Sequence, residues 1–263
     1  MPNPENLRLA EKIADLLDGR AGPNLTAEQR KQDLARALAH LEALGSLGYG
    51  LVPPAPQQTA VAGAKDGLEE PIQAAGHDLR QLRQVWANHD KEAWRQAPAP
   101  YAALGAAFLD CGEPLLAYDV LRQGLEAHPA EYRMRQLCAL ALLRSGAVES
   151  ARAILLNLLK ENSADEESLG MLARAEKNLA LSETDPVRRK EYWRRAFELY
   201  RDAFQRTGGY WTGINAATIA LVLKDESRAR DLANEVIRLC HDEIGRAPAG
   251  NNLFWAYATL GEA

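Results

Sequence analysis

Four cations mark where this chain is equipped to hold a ligand: Arg133, Arg144, Arg174 and Lys177. A guanidinium presents a planar fork of N–H donors that meets a carboxylate with two parallel hydrogen bonds. Gln136 and Asn178 lie close to these cations in the sequence and add amide donors and acceptors. The six residues predict a seat for an acidic peptide or a free C-terminal carboxylate. The plainer expectation beside it is that arginines on a helix face are solvated surface.

Other chemistry has little support. His40, His77, His89, His128 and His241 are scattered, and none stands four residues from another His or Cys. Cys240 and His241 are adjacent, so a helix points them to different sides. With Cys111 and Cys138 they leave three thiols, an odd number without metal spacing, which predicts reduced cysteines in a reducing compartment. Cys138 falls at a core position, where a thiol is inert. No phosphate loop, Gly-x-Ser-x-Gly elbow or zinc spacing occurs. The expectation is therefore a protein that is not an enzyme and has no cofactor or metal.

The formal net charge of −5 argues against nucleic acid as a partner, because phosphates reward a positive excess. The densest basic run, from Val187 to Arg195, includes Tyr192 and Trp193 but is diluted by Glu191, Glu198 and Asp202, and reads as a solvated helix face. No stretch approaches the ~18 apolar residues of a membrane span. The N-terminus has no apolar signal region. A cytoplasmic protein follows, and the richness in Ala and Arg leans bacterial.

A repeat must position the cations. Gly112 and Gly146 are 34 residues apart, as are Ala117 and Ala151. The stretch from Tyr101 to Phe108 and the stretch from Arg135 to Leu142 show one pattern of small and large apolar residues. A period of this length marks an array of helical hairpins. Gly105 and Ala117 are small where two antiparallel helices must approach, and Leu104, Phe108 and Leu121 fill the space between. Pro129 cannot continue a helix and resets the chain. In the second unit Cys138, Ala139, Leu142, Ala151, Leu155 and Leu158 take the equivalent places, with Ser163 replacing the proline.

Small residues in the eighth and twentieth places, Gly in the fifteenth and Pro near the end resemble the tetratricopeptide repeat. The resemblance implies an all-α fold: a helical-hairpin solenoid forming a right-handed superhelix, here with an N-terminal helical extension. It divides the chain into a helical segment at 1–50, a Pro/Ala/Gly-rich linker at 51–70, a helical lead-in at 71–97 and an array at 98–263. The array's units are 98–131, 132–165, a stretched 166–209, 210–251 and an incomplete 252–263. In the stretched unit the second helix, with Trp193, Ala196, Tyr200 and Ala203, comes eleven residues late. A long first helix, a turn near Thr184–Pro186 and a long second helix are expected there. The fourth unit places Ala217, Leu221, Ala229, Ala233 and Val236 on its inner face, and Asn215 is expected to tie it to the unit before.

Repeats of this family bind along the concave face of their first helices, which puts Arg133, Gln136, Arg144, Arg174, Lys177 and Asn178 there, with Asp110 and Glu167 among them. The Lys and Asn of the chaperone-binding clamp are absent: Ala102 and Ala106 stand in their places. From about Pro98, the segments from Leu169 to Lys177, Glu191 to Tyr200 and Gly209 to Ala217 also look like the central regulatory region of apoptosis signal-regulating kinases, which is associated with TRAF adaptor binding, and like related bacterial signalling proteins. Kinase signatures are absent, so the resemblance implies a scaffold role.

The leading expectation is a non-catalytic protein-interaction scaffold of a signalling or effector protein, with a peptide or partner domain in the groove. A cis-regulatory or sensor domain of a longer enzyme is the alternative. A third reading is a homo-oligomer formed through an uncapped C-terminal end, where Phe254, Trp255 and Tyr257 would leave an apolar patch.

Overall fold

The computed structural model describes residues 67–163, 165–246 and 259. The expected N-terminal helices, most of the linker and the incomplete fifth hairpin lie outside the described residues. Every described element of regular structure is an α-helix. The described residues form two compact units, 67–192 and 193–246, divided between Tyr192 and Trp193.

The first unit opens with three short helices, α1 (Glu70–Ala75), α2 (Leu79–Asn88) and α3 (Lys91–Arg95). Asp78 and Asp90 start the second and third: each carboxylate accepts from two backbone amides of the first turn, the donors a helix leaves unpaired. Trp86 stacks on His89 with centroids 4.5 Å apart and planes 5° apart. Trp94 lies 4.5 Å from the imidazole and 6.0 Å from Trp86, and it meets Tyr101 edge-on at 5.1 Å. These rings join the lead-in to the regular array.

Two regular hairpins follow: α4 (Ala99–Asp110) with α5 (Pro114–Ala127), then α6 (Tyr132–Ser145) with α7 (Val148–Glu161). Gly112 and Gly146 turn the chain inside each hairpin, at φ 76° and 88°. Only a residue without Cβ adopts such angles without strain, which is why this glycine recurs at one period. Helix α5 begins with Pro114, whose missing N–H costs nothing at a first turn.

Next come α8 (Glu166–Ser182, 17 residues) and α9 (Pro186–Thr207, 22 residues), separated at Glu183–Asp185. The surplus length of the third hairpin is thus taken up by helix, and α9 runs across the division between the units. Asp185 accepts from the amides of Val187 and Arg188 to start α9.

The second unit continues with α10 (Tyr210–Val222) and α11 (Glu226–Arg246). Ala217, Ala229 and Val236 are buried there. Leu221 departs from the sequence expectation: it is 58% exposed beside the exposed Val222, because Ile219 and Ala220 in the same turn take the inward places. Asn215 donates to the Trp211 carbonyl of its own helix at 2.9 Å.

Close approach sets the core. A Cβ on Gly105 would stand 2.5 Å from Leu121 Cγ, and one on Gly124 would meet Tyr101 and Met134 at under 3 Å. Tyr101, Leu104, Phe108, Ala117, Leu121 and Met134 are sealed around these points. Gly105→Ala should therefore lower stability by about 1–2 kcal/mol, overpacking outweighing the gain in helix propensity. Urea unfolding of the variant, with an unchanged m-value, checks this; a stability equal to or above wild type would show that Leu121 can yield.

Candidate binding face

Helices α4, α6 and α8 pack side by side as the first helices of successive hairpins. Residues one period apart therefore become neighbours on one face. Arg133 and Glu167 are such a pair, and Arg133 Nη1 donates to Glu167 Oε2 at 2.6 Å. Burial pushes the Glu167 carboxyl up from its usual range, while the Arg133 guanidinium pulls it down.

Gln136 is not an open groove residue. It is 3% exposed and belongs to a buried network. Its Nε2 donates to Asp165 Oδ2 at 2.9 Å and to Ser168 Oγ at 3.2 Å, and its Oε1 accepts from Arg133. The same Asp165 oxygen accepts from the Ser168 amide at 2.9 Å and from Tyr132 Oη at 3.2 Å. One carboxylate thus caps α8 and ties it to α6. A buried amide left without such partners would cost about 1–3 kcal/mol, so the side chain's role is to join repeats.

The other end of the face is different. Arg144, in the last turn of α6, reaches back to donate from Nη1 to the Leu109 carbonyl at 2.6 Å. That carbonyl lies in the last turn of α4 and also accepts from the Gly112 amide at 3.0 Å, and the negative end of the helix favours a cation there. Arg144 Nε is buried with no hydrogen-bond partner. Burial lowers the Arg144 pKa from its ordinary value, the nearby Arg174 charge lowers it further, and Asp110 opposes both. Asp110 is solvent-exposed, yet the protein around it raises its carboxyl above the usual range, with Arg144 pulling the other way.

Arg174 is half-buried in α8 and, among the described residues, has neither an ion pair nor a hydrogen bond. Lys177 and Asn178 follow one turn later and are half-buried as well. The face therefore has a neutralised end at Arg133, Gln136 and Glu167 and a cationic end at Arg144 and Arg174.

Sequence reasoning missed the buried pair between α7 and α8. Arg152 Nε donates to Glu176 Oε1 at 2.5 Å, and Glu176 is 2% exposed with Oε2 lacking a donor. Its only signal was a carboxylate at an otherwise apolar helix position. Burial pushes the thiols of Cys138 and Cys240 up to about 12, Glu243 adding to the second, so neither is a thiolate near neutral pH. No group of three His, Cys, Asp or Glu that could hold a metal occurs among the described residues, and no described helix is long and apolar enough to cross a membrane.

This arrangement is the tetratricopeptide-type stack of helical hairpins. Residues 115–220 match the family model described as Tetratricopeptide Repeats-Sensor. No curated protein matches the chain. Among solved structures, MamA from Desulfovibrio magneticus RS-1 is similar at TM-score 0.53 and 17% identity, over 67% of this chain and 94% of that one. A further MamA crystal structure gives TM-score 0.54 at 12% identity, over 69% and 98%. At such identities the likeness is one of fold.

Arg152→Ala should destabilise by about 3 kcal/mol, because it strands a buried carboxylate. Arg122→Ala, which breaks the exposed pair with Glu126, should cost under about 1 kcal/mol. Denaturant titration of the two variants compares them directly, and equal costs would mean that Glu176 finds another donor.

Proposed function

We propose that the unit formed by residues 67–192 is a non-catalytic interaction module, and that the face of α4, α6 and α8 receives an acidic peptide or an acidic segment of a partner domain. The supporting observation is the half-buried Arg174, unpaired among the described residues on a face where Arg133 already has its carboxylate and Arg144 is bound to a backbone carbonyl. An unanswered cation amid packed helices is a place where a partner's charge gains more than it would on open surface. Lys177 and Asn178 extend the same strip along α8. The likeness to a signalling-associated repeat region makes assembly of a signalling or effector complex in the cytoplasm the expected setting; a TRAF partner does not follow from it.

A second reading, a sensor domain acting on an effector within a longer protein, is favoured by the description of the family model that matches residues 115–220. Both readings use the same face and differ in what is joined to it.

The test is fluorescence anisotropy with sets of acidic, neutral and basic peptides, followed by hydrogen exchange on the best binder. Acidic peptides should bind in the micromolar range and slow exchange in α6 and α8. Equal binding of basic and acidic peptides, or protection confined to α9, would overturn the reading.

A further inference from the structure

Resting on that reading, we propose that the Arg133–Glu167 pair holds a side-chain carboxamide of the bound peptide, an Asn or Gln about three residues from the carboxylate that Arg174 takes. The pair is only half used. Arg133 serves both of its acceptors, Gln136 Oε1 and Glu167 Oε2, from Nη1 alone. Its Nε and Nη2 donate to nothing among the described residues and are not sealed from solvent, the side chain being 38% exposed. Glu167 likewise uses Oε2, while its Oε1 accepts nothing among the described residues and is not sealed. Free N–H donors therefore stand beside a free carboxylate oxygen.

A primary carboxamide complements that array, because its carbonyl accepts and its NH2 donates from adjacent positions. A ligand carboxylate does not. It would find the Arg133 charge already neutralised and would meet the Glu167 charge at close range. The array is also fixed before any ligand arrives. Gln136, itself held by Asp165 at 2.9 Å and Ser168 at 3.2 Å, pins Nη1 together with Glu167 at 2.6 Å. A guanidinium already held in place loses less freedom when it binds.

Helix geometry sets the spacing. Glu167 and Arg174 are seven residues apart in α8, within about 20° of two full turns, so they leave the helix on the same side about 10.5 Å apart. A polyproline-II chain advances about 3.1 Å per residue and returns to the same side every three residues. A carboxamide on the Arg133–Glu167 pair and a carboxylate on Arg174 thus belong to ligand residues about three positions apart.

The probes are labelled Pro/Ser-rich peptides, capped at both ends, carrying Gln-x-x-Glu or Glu-x-x-Gln; the two orders cover both chain directions. In anisotropy titrations of the better probe, changing its Gln to Ala should weaken binding by about fivefold and to Glu by about tenfold, and one further spacer residue should weaken it by about fivefold. Glu167→Gln removes the repelling charge and should invert the order, so that the Glu-for-Gln peptide binds more tightly than its parent. A merely structural role for Glu167 would weaken all peptides alike. Circular dichroism and thermal melting of the variant show that the fold is retained, and the peptide series on wild type tests the site without any variant. If Gln, Ala and Glu peptides bind wild type alike, or Glu167→Gln leaves their order unchanged, the carboxamide site is wrong while the acidic-peptide face stands. If no acidic peptide binds wild type, both fall.

Discussion

The distance at which paired helices touch governs the rest of the described structure. At Gly105 and Gly124 the neighbouring side chains occupy the volume where a Cβ would stand, and Gly213 meets Phe204 and Val236 in the same way in the second unit. With the spacing inside each hairpin held by such contacts, successive first helices can align turn for turn. That alignment converts a separation of 34 residues in sequence into adjacency in space, and Arg133 meets Glu167 because of it. The polar network around Asp165 depends on the same alignment, since its partners come from two different helices.

The repeats were the most legible part of the sequence. Gly112 and Gly146, Ala117 and Ala151, and the apolar pattern between them all reflect steric requirements that only small residues or left-handed glycines meet, so residue type alone reveals them. The surplus after Glu176 was legible as extra helix for the same reason: the apolar spacing continues through it. Leu221 was misplaced because in an apolar helix such as α10 nearly every residue can face inward, and residue type does not choose among them.

The binding face was only half legible. Six residues were placed on one face by register, and the structure puts Arg133, Arg144, Arg174, Lys177 and Asn178 on first helices of adjacent hairpins. Register does not say which of them are already occupied. Arg133 could have been read as paired, since Glu167 lies one period further on. Gln136 could not, because its burial depends on Asp165 capping the next helix and accepting from three side chains or amides at once. Arg144 is bound to a backbone carbonyl, and no residue type announces that.

The third hairpin carries a consequence for how such a chain changes over time. Its additional residues fall beyond Glu176, at the far end of α8 and the start of α9, downstream of the contacts that set α8 against α6 and α7. Residues inserted between Arg133 and Glu167 would shift every later partner by a fraction of a turn and break several bonds together. Length can be gained or lost at the tip without that penalty. Descendants of this sequence would accordingly vary in tip length, while Arg133 and Glu167 would be replaced only as a pair.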